Sequence, residues 1–339
     1  MTDRRHFLRS SLAATATVGI AHGLTACGGS DGNGNGNGSL MSDAAAATRS
    51  SALSAQLKQL TASSVWTKVG ETRLASAAYH PQGLVRIGDA YFVSTVEILT
   101  PTTRLDPPVN GLDRTPGTGR GHVLKFDLAG NLLADLQIGE GTVYHPGGMD
   151  FDGTNLWVPV AEYRPDSRAL FYRIDPAAMR ATRVFGFDDH IGGLSRNADD
   201  NTLHGIGWGS RRFYRFSLDA GQTGSPEALV PPRDLRRLNR AFYIDYQDNQ
   251  YLGDNEMLYT GLTAFGATPN SNAFALGGFE IVNLETGLPV HQVPVKLWAA
   301  SRRPMTTNAT WFESTATGVR AHFVPDDDTA SVHVYDVAV

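Results

Sequence analysis

The chain of 339 residues is 41% apolar and holds 36 glycines but one cysteine, Cys27, which excludes an internal disulfide framework and a multi-cysteine zinc site. Its formal charge is −5, and once residues 1–26 are removed 26 basic groups face 33 acidic ones. That balance argues against nucleic acid as a partner.

In chain order, the first feature is an address. Asp3, Arg4, Arg5, His6, Phe7, Leu8 and Arg9 resemble the twin-arginine export motif, and the weakly apolar stretch 11–24 is too short to span a bilayer. Leu24, Thr25, Ala26 and Cys27 are similar to a bacterial lipobox. The expectation is cleavage before Cys27, lipid on its sulfur, and retention at a membrane facing the periplasm or cell exterior. Residues 28–39, GGSDGNGNGNGS, read as a flexible tether. A short amphipathic helix through Leu53, Leu57 and Leu60 is expected within 44–62, outside the folded core.

From residue 63 on, the sequence repeats itself. YHPQGLVRIGDAYFVSTVE (79–97) and YHPGGMDFDGTNLWVPVAE (144–162) share Tyr-His-Pro, a Gly eight residues after the His and a Glu seventeen after it. A third copy starts DHIGGL (189–194). Each copy is apolar run, polar turn, apolar run, the pattern of a hairpin. A second pair of runs follows, the first ending at Phe126-Asp127, Ile174-Asp175, Phe216-Ser217, Val282-Asn283 and Tyr335-Asp336. Four strands in about 45 residues is the spacing of a propeller blade. Blade starts fall at His80, His145, His190, Tyr243 and Asn308. The expected fold is an all-β, five-bladed β-propeller over 63–339, with a six-bladed alternative that reads 275–295 as a blade of its own. The last blade runs out after three strands, and 65–69 is an orphan strand that would complete it and remove two open edges. The gaps at 99–120, 220–240 and 263–275 are read as long loops.

In a propeller the first strand of every blade lines the axis. This sets His80, His145 and His190 on one rim, with Asp245 and Asn308 from the two degenerate blades, and sends Glu97 and Glu162 back to the same face. Three imidazoles with carboxylates behind them suit a divalent first-row metal such as zinc or iron. Two alternatives stand beside that reading. The imidazoles serve the fold by bonding a neighbouring blade's backbone while the glycines allow close approach, or they do metal-free general-base chemistry. Glu97, Glu162 and Asp245 are the candidate catalytic carboxylates, also as a set for sugar hydrolysis. Asn308, His204 and Arg211 are candidate ligand-binding residues, although His204 sits mid-run and Arg211 lies on a strand of alternating Arg and aromatic residues (210–215). No Walker lysine and no Gly-x-Ser-x-Gly elbow occur.

Taken together, YHPGGMD (144–150), VPVAEYRPDS (158–167), DHIGG (189–193), WGSRRFYR (208–215) and YIDYQD (243–248) resemble an uncharacterised family of secreted bacterial propeller-like proteins. The resemblance spans about residues 65–339 and implies no known activity. It also implies that relatives carry a His where this chain has Phe242. More distantly the blades are similar to calcium-dependent lactonase and gluconolactonase propellers, whose axial carboxylate-and-amide set His80, His145 and His190 do not match. The function expected is that of an exported, lipid-anchored monomer binding a small ligand in a His-lined axial pocket. The competing classes are a metal-dependent hydrolase or oxygenase, a carbohydrate-active enzyme, and a non-catalytic envelope scaffold.

Overall fold

Short apolar runs broken by turns that admit left-handed backbone give five antiparallel sheets set around one axis. Gly88, at φ +55, closes the two-residue turn of the first hairpin, where a side chain would be strained. The structure, a computed structural model, describes residues 52–266 and 274–339. The Arg4-Arg5 motif, Cys27 and the glycine tract lie outside these residues.

The first blade comprises His80–Ile87, Ala90–Thr100, Thr118–Asp127 and Leu132–Ile138. The second runs from the split inner strand His145–Pro146 and Asp150–Phe151 through Leu156–Ala161 and Ala169–Asp175 to Arg180–Phe187. Ile191–Asn197, Thr202–Gly207, Arg212–Ser217 and the two-residue Arg237–Leu238 form the third. Asp245–Tyr251, Glu256–Phe265, Phe274–Asn283 and Leu288–Val295 form the fourth, so 275–295 completes this sheet and the six-bladed alternative falls. Ala309–Thr315, Gly318–Val324 and Ser331–Ala338 make the fifth, and Trp66–Arg73 pairs antiparallel with its last strand. The ring therefore closes with a strand from the N-terminal side, and both edges are covered.

Buried hydrophobes fall into five clusters, each filling the space between two neighbouring blades. Both faces of a sheet are thus packed, which is why Leu156–Ala161 is buried at every residue. The seam between third and fourth blades is the thinnest, with six buried hydrophobes among the described residues, where the others have eleven or more. Two expectations need correction. Leu57 and Leu60 are fully buried and Leu53 nearly so, because the helical segment 52–57 docks over the fourth and fifth blades against Phe279 and Phe312. It is held there by Ser54 and Lys58 on Glu256 (2.5 and 2.6 Å) and by His291 Nε2 donating to Leu60 O. Of the three expected long loops, 99–120 is largely a hairpin, Arg104–Val109 paired with Leu112–Arg114, that extends the first blade. Likewise the strands flanking 263–275 continue their pairing out to Phe265 and Phe274.

The axis is closed by backbone and carboxylates. Gly148 N donates to Gly192 O and Leu194 N to Gly148 O, joining the inner strands of the second and third blades directly. A Cβ on Gly147 would stand 2.3 Å from Gly192 O, so only glycine fits. Asp248, fully buried, accepts from Leu84 N (3.0 Å), Thr310 N (2.8 Å) and Asn249 N (2.9 Å). Asp150 accepts from Tyr251 N and Phe151 N, both at 2.8 Å. Burial drives both carboxyls up, that of Asp150 to about 7, against the pull of these amide donors.

The sign of the pH effect follows. A carboxyl whose folded pKa lies above its unfolded value of 3.8 stabilises the fold below about pH 4 and loses that contribution as pH rises through 7. His204, pushed down to about 4 by burial, titrates in the opposite sense over the same range, so a plain melting curve against pH masks Asp150. The diagnostic is the stability of the wild type minus that of Asp150→Asn, by urea unfolding at fixed pH. We expect this difference to fall between pH 4 and 8 by up to about 4 kcal/mol. A difference independent of pH would show that Asp150 is ionised throughout.

Candidate functional site

Because every inner strand begins at the same end of the axis, His80, His145 and His190 gather on one face, as the repeat implies. His80 is aimed by a strained neighbour. Tyr79 has φ +52, an uncommon setting for a bulky residue, and is held by Asp328 N donating to its carbonyl (2.5 Å) and by its ring stacking on His122. His80 Nδ1 donates to Asp327 Oδ1 at 2.8 Å. Asp327 lies in the turn before Ser331–Ala338 and also accepts from Arg303 Nη2 (2.7 Å) and Asn308 Nδ2 (3.1 Å). Burial alone would raise the Asp327 carboxyl, but bonds from His80 and Arg303 outweigh it and hold it well below the usual carboxylate range.

The other two histidines are built in differently. His145 stacks on Tyr163, ring centroids 4.3 Å apart and nearly parallel, and meets the His80 ring edge-on at 6.2 Å. His190 Nδ1 donates to the carbonyl of Glu162, in the preceding blade, at 2.8 Å, and its ring lies edge-on to Trp208 at 4.8 Å. Imidazole to neighbouring-blade backbone, with Gly147 and Gly192 in close approach, is the fold-serving arrangement set out above. Tyr163 and Trp208 complete a belt of rings from His80 to His190. The first blade's hairpin reaches over this belt, with the Arg114 guanidinium 5.1 Å from the Trp208 ring and Pro116 O accepting from Tyr144. Under the belt lies an open depression of about 40 Å³, lined by Gln82, His145, Tyr163, His190, Trp208 and Gln247. That volume holds a few waters at most; a larger ligand must lie across the mouth.

The convergence of His80, His145 and His190 on one ion is not found. Among the described residues no three His, Cys, Asp or Glu side chains stand close enough together to hold a metal. Asp327 and Glu162 O fix the His80 and His190 rings through Nδ1, and His145 stacks on Tyr163. The carboxylates also stand elsewhere than expected. Glu97 pairs with Arg120 at 2.8 Å and lies 3.9 Å from His122, out along its strand. Glu162 takes Thr142 Oγ1 (2.5 Å) and both Nε and Nη2 of Arg164 (2.7 and 2.6 Å), and offers His190 its carbonyl in place of its carboxylate. Asp245 faces Arg211 at 3.3 Å. Arg211 is further spent on Ala241 O and Gly209 O and covers the Phe242 ring. Asn308 serves Asp327 at the rim, whereas His204 lies in the seam between the third and fourth blades.

Sequence reasoning missed Asp327, Tyr163 and Trp208 at the rim, and Asp150 and Asp248 on the axis. Asp150 and Asp248 stand inside the quoted YHPGGMD and YIDYQD stretches, and Tyr163 and Trp208 inside two others, so the signal was there. Asp327 sits in an acidic turn, 326–328, outside any repeat.

With this geometry in hand, the chain belongs to the family of unknown function DUF6454, whose model matches residues 39–339. No curated protein matches it in sequence. Among solved structures it is similar to the glutaminyl cyclase of Myxococcus xanthus, at 12% identity and a TM-score of 0.44, covering 81% of this chain and 98% of that one. It is similar also to a luciferin-regenerating enzyme, at 12% identity and a TM-score of 0.42, covering 81% and 95%. Neither likeness bears on the chemistry of the rim.

Protein purified from metal-replete cells is expected to carry less than about a tenth of an equivalent of any transition metal by elemental analysis, since a three-imidazole site would bind tightly. A stoichiometric metal that disappears in His145→Ala would show instead that the three rings rearrange around an ion.

Proposed function

We propose that this member of DUF6454 binds a small polar ligand across the ring belt of the axial rim and acts on it as a metal-independent general acid–base catalyst. The observation that carries the reading is the His80–Asp327 pair. Its carboxylate fixes the imidazole's rotamer and tautomer through Nδ1, is itself anchored by Arg303 and Asn308, and leaves Nε2 to take or give a proton. His80 is also the more exposed of the rim histidines, with 31% of its side chain open, so a ligand has access to it. Tyr163 and Trp208 offer flat apolar faces on which a ring or an amide of the ligand would stack, with Arg114 over Trp208 to favour a ligand of negative or electron-rich character. Hydrolysis by an activated water is the reaction class this arrangement suits first.

A panel of small esters, lactones and amides, assayed at fixed pH with purified protein, tests the proposal. Turnover is expected to fall at least 100-fold in His80→Gln and to fall with a changed pH profile in Asp327→Asn, at unaltered melting temperature in the first. Turnover that survives His80→Gln would end the general-base reading. A panel without any turnover, but with saturable ligand binding that needs Tyr163 and Trp208, would leave a binding module in its place.

We propose further that the propeller works at a membrane, tethered through lipid on Cys27 after export. Cys27→Ser is expected to be exported and recovered in the soluble fraction, with the wild type in the membrane fraction. Wild-type protein recovered soluble and unmodified would remove the anchor.

A further inference from the structure

The seam between the third and fourth blades, the thinnest of the five, is incompletely filled. It holds a cavity of about 130 Å³, more than three times the rim depression, walled by Phe213, Leu235, Tyr259, Val282 and Leu284. A cavity near this size with apolar walls admits one benzene-sized ring. The physical origin is local. The third blade ends in an outer strand of two residues, Arg237–Leu238, and His204 stands on the seam-facing side of its second strand, at the position where the second blade carries the buried Trp157.

Two polar features give the cavity a chemistry. His204 lines it as a neutral imidazole, because burial pushes its pKa down to about 4. Its tautomer follows from a chain of hydrogen bonds. Thr202 Oγ1 donates its one proton to Asp200 Oδ1 at 2.6 Å, so towards His204 Nε2, 3.0 Å away, it must accept. Nε2 then bears the proton, and Nδ1 is a lone-pair acceptor with no donor on it among the described residues. At the mouth stand Arg215 and Arg237. Arg215 bonds Asp200, but Arg237 is spread over the backbone carbonyls of Leu284, Glu285 and Thr286 and has no carboxylate partner among the described residues. Tyr259, whose phenol burial keeps protonated, and Phe213 lie with ring centroids 5.8 Å apart.

We propose that this seam is a second ligand site, distinct from the rim, that takes a monocyclic aromatic acid bearing a hydroxyl group. The ring lies in the cavity against a wall formed by Phe213, Tyr259 and Val282, the hydroxyl donates to His204 Nδ1, and the carboxylate meets Arg237 at the mouth. An aliphatic ligand of the same volume would forgo the ring contacts, and a cation would meet two arginines.

The test uses 4-hydroxybenzoate, benzoate and 4-hydroxybenzamide, followed by NMR on the full propeller. Saturable shifts of His204, Phe213 and Tyr259 signals are expected with 4-hydroxybenzoate at a dissociation constant of about 1 mM or below. Benzoate and the amide are each expected to bind about tenfold more weakly. His204→Leu should erase the preference for the hydroxyl, and Arg237→Gln should weaken the acid about fivefold without affecting the amide. His80→Gln should change nothing, which separates this site from the rim. Val282→Phe, which fills the cavity, should abolish binding, and Leu284→Phe provides the same check should that variant misfold. The proposal is overturned by an absence of saturable shifts up to about 10 mM, or by binding that none of these seam variants alters.

Discussion

The fold depends on a carboxylate where propellers have their most crowded point. Asp248 sits on the axis and accepts backbone amides from the inner strands of the first, fourth and fifth blades. Inner strands converge side by side, so their axis-facing amides have no sheet partner and no room for water. One acceptor with two oxygens satisfies three of them at once. These amide bonds oppose the cost of burying the group without cancelling it, since burial still drives the carboxyl up. Asp150 does the same between second and fourth blades, and Gly148 bonds the third blade to the second without any side chain. A plugged axis is the result, with the open depression at the rim and the cavity in the seam between third and fourth blades.

At the rim the same packing logic divides three look-alike histidines. His190 is consumed by the preceding blade's carbonyl and His145 by Tyr163, so both hold the fold and shape the depression. His80 pairs with the carboxylate of Asp327, and does so because its blade lies next to the ring closure, where the 325–330 turn of the fifth blade folds across the start of the first. Repetition of a residue therefore does not mean repetition of a role. The role depends on what the neighbouring blade brings to it.

Much of the fold was legible from residues alone. Period-two runs, Gly and Asp turns and the YHP repeat located the blade starts to within about two residues, and the orphan strand expected at 65–69 closes the ring as Trp66–Arg73. Leu53, Leu57 and Leu60 were visible as one helical face, yet nothing in their spacing says which surface they bury against; that surface is the fourth and fifth blades, about 200 residues away or more. Loop length was misjudged at 99–120, where the polar arms Arg104–Val109 and Leu112–Arg114 keep strand pairing without apolar alternation, and at the edges of 263–275, where pairing runs out to Phe265 and Phe274.

By itself the sequence determined the architecture, because blade number, strand count and closure follow from a local period repeated along the chain, and it determined that His80, His145 and His190 share a face, because equivalent positions in a radial array are equivalent in space. Only the tertiary structure decided their partners. Asp327 reaches His80 across 247 residues, Asp248 reaches Leu84 across 164, and His204 faces a seam instead of the rim. Those outcomes turn on side-chain direction and on contacts between blades, and a strand's period of two fixes the face a residue takes without fixing what the adjoining blade places opposite it.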